Sequence, residues 1–343
     1  MSLGERLLEA SKKAARIHTE AGSQQRAASG YARVNPMALA EQAGVMVMVK
    51  PLEKLLGAFV REGRPGILLN SERPIGMVHM TCAHELGHYH LGHMTTADEH
   101  LAYGDQSEAI EQEANYFAYT LMAPMWLVNR ALRTKDWDRK SVLSPDVVYQ
   151  LSLRLGVSFT GMVWSLSRLK YLSSQAAMVM SKTPPKDLKT KALPAGVEIP
   201  TLSDVWVLDE RDKDWVIEPR STDRFIVRLP SHATAGYLWS AEDLAGEGFT
   251  LKPVTVDARQ KPTRNGPPRV GGEAHDLYML NHDFVDPAQR GRTSAKLQEA
   301  QPWNKGDEAH AQLSLNLEFE RLELGLSTGT RSREVEAEAG RDA

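Results

Sequence analysis

At 343 residues the chain is too long for one ordinary core and is expected to form about two domains. Its 42% hydrophobic and 25% charged residues exclude a disordered chain, and a net charge of −3 argues against a polyelectrolyte partner such as nucleic acid. The single cysteine, Cys82, excludes an internal disulfide framework and fits a reducing compartment. "MSLGERLLEASKK" interleaves charges with leucines and does not read as a secretory signal. Apolar runs such as "GVMVMV" are too short to span a bilayer, so a cytoplasmic protein is expected.

In chain order, residues 5–20 carry a helical pattern of Leu7, Leu8, Ala14, Ala15 and Ile17. "NPMALAEQAG" (35–44) predicts a short helix with Asn35 as cap, Pro36 in the first turn and Gly44 as stop. "VMVMV" (45–49) and "GILLN" (66–70) predict strands, and Ile75–His93 turns helical. A helix is expected over about 106–122, with an apolar stripe of Ile110, Ala114, Phe117, Ala118 and Leu121 and Pro124 as its end. "SPDVVYQLSLRLG" and "FTGMVWSLSRLKYL" predict two more helices, a helical hairpin rather than a DNA-reading element. The Lys-, Pro- and Ser-rich stretch within 173–200 reads as linker. Beyond it, short runs such as "DVWVLDE", "RFIVRLP", "HDLYML" and "AQLSLNLEFERLEL" alternate with turns and suggest an all-β sandwich. The charged, Ala-rich end (327–343) is expected to be flexible.

The stretch "HMTCAHELGHYHLGHM" (79–94) holds five histidines and, within them, the HExxH of His84, Glu85 and His88. Four-residue spacing sets both imidazoles on one helix face, where they can share Zn²⁺, and brings Glu85 beside the metal as general base. A catalytic zinc takes three protein ligands. His90 and His93 do not match the HExxHxxGxxH spacing, since positions 91 and 94 are Leu91 and Met94. They are expected to be exposed or to support the ligands, and His79 to be a bystander. A glutamate from the 106–122 helix is the other source of a third ligand. Glu111 and Asn115 are four apart and project together, and Glu113 borders the apolar stripe at a similar angle, so periodicity leaves Glu111 and Glu113 open. Glu108 is expected in solvent.

"ILLNSE", "MTCAHELGHYHLGH" and "IEQEANYFAYTLMAP" together resemble the ImmA/IrrE family of bacterial metallopeptidases over roughly residues 30–170. The resemblance implies a mainly helical, zincin-like domain with a small sheet, zinc on His84, His88 and Glu111, Glu85 as catalytic base and Asn115 orienting a ligand. It favours Glu111 over Glu113, because the family's glutamate lies three residues before the Ala. Met77 and His79 depart from the family, which has basic residues there. The implied reaction is zinc-dependent hydrolysis of a protein, a helix–turn–helix repressor in stress, mobile-element or phage-related regulation. Tyr89, His90, His93, His100 and Tyr103 are all conceivable oxyanion donors, and the sequence does not choose among them. The 66–70 strand is a candidate to receive substrate by strand addition. Cys82 is expected to be a small packed residue.

In the second half, "LPSHATAGYLWS", "RVGGEA" and "AQPWNKG" resemble the three loop motifs of chagasin-like cysteine-peptidase inhibitors over roughly 203–325. Thr234, Gly236, Tyr237, Trp239, Gly271, Gly272, Pro302 and Trp303 carry the match; His232, Ala233, Arg269 and Gln301 depart from it. The resemblance implies an immunoglobulin-like sandwich with three loops at one end; because the departures fall in those loops, a sensing or docking module is expected in place of cysteine-peptidase inhibition. The combined expectation is an α+β chain: peptidase domain 1–172, linker 173–200, β-sandwich 201–326 and tail 327–343. The competing expectation is a protein-binding or inhibitor module with a structural or regulatory zinc site.

Overall fold

Helix-capping chemistry and hydrophobic period account for most of the elements of the N-terminal half. The computed structural model describes residues 2–94, 96–98, 109–240, 249–254, 275–282, 292–303 and 309–339. The glycine motif with Arg269, Gly271 and Gly272, together with His100, Tyr103 and Glu108, lies outside the described residues. The chain divides into two units, one of residues 1–183 with 321–343 and one of residues 184–320.

In the first unit, α1 (Leu3–Glu20) opens on a capping box in which Ser2 and Glu5 satisfy each other's backbone N–H groups. A short α2 (Ser23–Ala28) follows, and α3 (Pro36–Gln42) starts where Asn35 accepts from the Ala38 N–H. Strands β1 (Met46–Lys50), β2 (Gly57–Val60) and β3 (Gly66–Asn70) lead into α4 (Ile75–Leu91), which ends at Gly92 with a positive φ of 81°. Strand β4 (Thr96–Asp98), α5 (Ala109–Met122), α6 (Met125–Thr134), α7 (Pro145–Leu155), α8 (Phe159–Arg168) and α9 (Ser174–Met180) complete the N-terminal part. Two of these helices, α7 and α8, form the expected hairpin. Nearly every residue of α4 from Gly76 to His88 is buried, so this helix runs through the core with the HExxH inside it.

β3 is a central strand, parallel to β1 and antiparallel to β2, and β4 pairs with the far edge of β2. Strand addition to residues 66–70 is therefore excluded, because both hydrogen-bonding edges of β3 are occupied. The partner responsible, β2, is only four residues long and follows a Pro- and Lys-containing loop, which hid it in the sequence. At the end of β3, Asn70 is buried and clasps the 52–55 loop, donating to Leu52 O (2.7 Å) and Leu55 O (2.8 Å).

The C-terminal stretch returns to this unit. After the second unit, β13 (Gly325–Leu326) pairs antiparallel with β1, and α11 (Thr328–Ala339) follows instead of the flexible tail expected from composition. Ser327 N–H donates to Val47 O (2.9 Å), and Val47 N–H donates to Thr330 Oγ1 (3.2 Å). Small polar residues bind backbone here, a signal that hydropathy does not carry.

The second unit begins with α10 (Pro185–Ala192), inside the stretch read as linker. Its strands are β5 (Val205–Leu208), β6 (Val216–Ile217), β7 (Arg224–Pro230), β8 (Leu238–Ser240), β9 (Phe249–Pro253), β10 (His275–His282), β11 (Arg292–Ala300) and β12 (Ala311–Glu318). They form two four-stranded sheets, β5-β7-β10-β9 and β6-β12-β11-β8. Leu193, Val197 and Ile199 of the supposed linker pack with Val205, Ile226 and Met279, so these apolar residues cover a face of the first sheet. The chain as a whole is α+β, with a mainly helical first unit.

Candidate metal centre

The centre is built where α4 and α5 cross at close range. Gly87, inside the HExxH, permits this: a Cβ there would lie 3.1 Å from Phe117 Cδ1 and 3.2 Å from both Cα and O of Ala114. The contact brings the first turn of α5 onto the histidine face of α4. His84 Nε2 and His88 Nε2 are 3.0 Å apart, and Glu111 reaches both, with Oε2 3.1 Å from His84 Nε2 and Oε1 3.5 Å from His88 Nε2. Donors about 2.0–2.1 Å from a common tetrahedral zinc are separated by about 3.3 Å. The three spacings bracket that value, so these residues could hold a metal ion.

Burial alone would raise the Glu111 carboxyl, yet the facing imidazoles of His84 and His88 hold it well below the usual carboxylate range. The cluster thus favours the ionised, ligating form of Glu111.

Each histidine is held from behind. His84 Nδ1 lies 3.1 Å from Asn115 Oδ1, so Nδ1–H donates to the amide oxygen and the lone pair falls on Nε2. His88 Nδ1 lies 3.0 Å from His93 Nδ1, and His93 Nε2 lies 3.6 Å from Glu113 Oε2. One proton must sit between the two Nδ1 atoms. With it on His88, the free lone pair of His88 is again on Nε2, and His93 turns its own N–H towards Glu113. Glu113 is buried and salt-bridged to Arg6 on α1. Glu111 and Glu113 therefore point to different partners, although periodicity treats them alike. His93 also lies where helix spacing had argued against a direct ligand. It belongs to the turn beyond α4, which folds its ring back against His88 at 5.0 Å.

Glu85 is fully buried beside His84. Gly57 on β2 makes room for it: a Cβ at residue 57 would lie 3.3 Å from Glu85 Oε1 and 2.5 Å from Thr81 Cγ2. Arg61, immediately after β2, braces the far end of α4 by donating to the carbonyls of His88 (3.2 Å), Tyr89 (2.8 Å) and His93. Neither Gly57 nor Arg61 was singled out in the sequence, because their roles depend on a sheet register that no local pattern encodes.

The remaining candidates are dispersed. His79 is buried and its Nδ1 meets Gly156 O at 2.9 Å, making it a strut between α4 and the end of α7. His90 stacks on Phe117 at 5.7 Å, and burial holds its imidazole down at about 4. Tyr89 donates to Ala43 O (3.2 Å), away from the histidine pair. Cys82 is buried, and burial pushes its thiol above the usual range, which fits packing and not redox chemistry.

In the second unit, the first and third loop motifs meet. Trp303, 70% exposed, lies over Gly236, where a Cβ would come within 2.4 Å of its ring. Trp239 is a core aromatic whose Nε1–H donates to Pro230 O (2.8 Å).

Among the described residues, no helix is long and apolar enough to cross a membrane. No curated protein matches the chain. Among solved structures, a cysteine protease inhibitor from Entamoeba histolytica matches at 16% identity and a TM-score of 0.22, covering 34% of this chain and 97% of that one. Residues 40–162, which contain α4 and α5 and every candidate ligand between them, match the family model of the IrrE N-terminal-like domain, so this part of the chain is similar to metallopeptidases of the ImmA/IrrE type.

Proposed function

We propose that the chain is a zinc-dependent endopeptidase whose metal is held by His84, His88 and Glu111. The observation that carries this is the convergence of two imidazole Nε2 atoms and one carboxylate within 3.0–3.5 Å, on helices that also bury Glu85. When bound, zinc polarises the scissile carbonyl and lowers the pKa of water. Glu85 takes the proton of the attacking water and passes it to the leaving amine. Asn115 fixes His84, and the chain His93–Glu113–Arg6 fixes His88, so both ligands are presented with lone pairs on Nε2. A purely structural zinc site has no need of a general base, and the buried carboxylate of Glu85 favours the catalytic reading over the binding one.

The substrate is proposed to be a protein, specifically a helix–turn–helix repressor, cut in the cytoplasm during stress, mobile-element or phage-related regulation; this finer reading rests on the family resemblance alone. The domain division proposed is a peptidase in the first unit, residues 1–183 with 321–343, and a β domain in the second, residues 184–320, in place of the 1–172, 173–200 and 201–326 expected from the sequence. An immunoglobulin-like sandwich for the latter is supported by the inward residues Phe225, Val227, Leu297, Leu313, Leu315 and Leu317, buried on strands of its two sheets. Its role is proposed to be docking or sensing. The decisive experiment incubates wild type and Glu85→Gln with candidate repressors and reads products by mass spectrometry. Cleavage by wild type and a loss of at least about 100-fold in the variant, with zinc content retained, is the expected result. Full cleavage by metal-loaded Glu85→Gln defeats the mechanism.

A further inference from the structure

The β unit holds a second constellation of metal-ligating side chains, on scaffolding unrelated to helices α4 and α5. His232 follows β7, Glu299 is the penultimate residue of β11 and His310 immediately precedes β12. The hairpin register assembles them: Glu299 pairs with Ala311 across β11 and β12, and His310 N–H donates to Glu299 O at 2.8 Å. On the other side, His232 N–H donates to Glu299 Oε1 (3.3 Å) and His232 Nδ1 lies 2.8 Å from Glu299 Oε2. Three donor atoms, one from each residue, lie within 4.8 Å of one another.

Burial makes this grouping informative. Glu299 is 0% exposed, and an ionised carboxylate taken out of water requires a facing positive charge. An imidazolium at His232 alone would neutralise it, but that leaves the position of His310 without explanation. The His310 ring stands edge-on to His232 at 4.9 Å and 79°, and is steadied on Tyr237 at 4.5 Å. Two imidazolium rings in that contact would repel, whereas two neutral rings facing one cation would not. In the α4–α5 centre, the rings of His84 and His88 stand at 4.7 Å and 68°, with a carboxylate 3.1 Å from one of them. The same donor set, two imidazoles and one carboxylate, thus occurs on two different scaffolds.

The geometry points to a transition-metal site of the Zn²⁺ class formed by His232, Glu299 and His310. Two imidazoles with one carboxylate suit Zn²⁺ and its neighbours, while Ca²⁺ and Mg²⁺ take oxygen donors. Both histidines are exposed, and three protein donors leave a coordination position for water on that side. His232 is one of the residues that depart from the inhibitor-like loop motif, so the departure supplies a ligand.

The test uses full-length protein without a polyhistidine tag, stripped with chelator, dialysed against Zn²⁺ and analysed for metal per chain. His232→Gln, whose amide can still donate to Glu299, and His310→Ala each lose about one equivalent relative to wild type, with unchanged circular dichroism. In a His84→Ala background, Co²⁺ gives a visible ligand-field band that His310→Ala abolishes. If the α4–α5 centre binds no metal, wild type starts at about one equivalent instead of about two, and the difference caused by His310→Ala is the same. Unchanged metal content in both single variants overturns the site and leaves His232 and Glu299 as an ion pair.

Discussion

Gly87→Ala tests whether the close crossing of α4 and α5 holds the metal centre together. The added Cβ would meet Phe117 Cδ1 at 3.1 Å and Ala114 Cα and O at 3.2 Å. Ordinary carbon contacts lie near 3.5–4.0 Å, so α5 must withdraw by about 0.3–0.5 Å, since backbone atoms cannot rotate aside. Overpacking of this kind costs about 1–3 kcal/mol, and alanine regains about 1 kcal/mol over glycine within a helix. The net loss of stability is therefore only about 0–2 kcal/mol and discriminates poorly. Metal affinity is the sharper readout. Glu111 and Asn115 lie three residues before and one after Ala114, so both move with it, while ligand distances tolerate only about 0.2 Å. Zinc affinity is expected to fall about 10–100-fold, as when a ligand's supporting partner is lost. Competition against a chromophoric chelator measures this, with urea unfolding of the metal-free protein as the control. A folded variant that binds zinc as tightly as wild type would refute the helix-spacing argument.

Glu113→Gln and His93→Ala interrupt the chain behind His88 and are each expected to weaken zinc binding about 10–100-fold in the same competition assay. A normal affinity in both variants removes these residues from the centre. Burial, followed by the nearby Asp204 carboxylate, lifts Asp223 to about 6, against the three N–H donors of Asp204, Trp206 and Arg220. Its unfolded value is about 3.9, so the native state retains a proton that the unfolded chain releases between those values. This contribution is full below about pH 4 and is lost as pH rises through about 6, a slope that Asp223→Asn should remove from the unfolding midpoint measured across that range. An unchanged slope contradicts the assignment. Deleting residues 321–343 uncovers the outer edge of β1 and removes several backbone hydrogen bonds at about 1 kcal/mol each, so unfolding of the first unit should shift by about 2–4 kcal/mol. Calorimetry that finds no shift would show α11 and β13 to be dispensable.

Local pattern was enough to locate the HExxH on a helix, the Asn35 cap, the β3 strand with its terminal Asn70 and the hairpin of α7 and α8. Each of these depends on residues within a turn or two of one another, where spacing maps directly onto a face. His84, His88 and Glu85 were legible for the same reason. The choice between Glu111 and Glu113 was not legible in the spacing, and only the family resemblance favoured Glu111. Both carboxylates border the same stripe, and only the packing of α4, α5 and α1 sends one to the histidine pair and the other to Arg6 and His93. Tertiary contact likewise decided the use of His93, the room that Gly57 leaves for Glu85, the second edge of β3 and the return of Ser327 and Thr330 to β1. The His232–Glu299–His310 grouping is the extreme case: its members are separated by 67 and 11 positions, and a hairpin register brings them together. Helical spacing is a property of the chain, whereas partners brought together by packing belong to the fold.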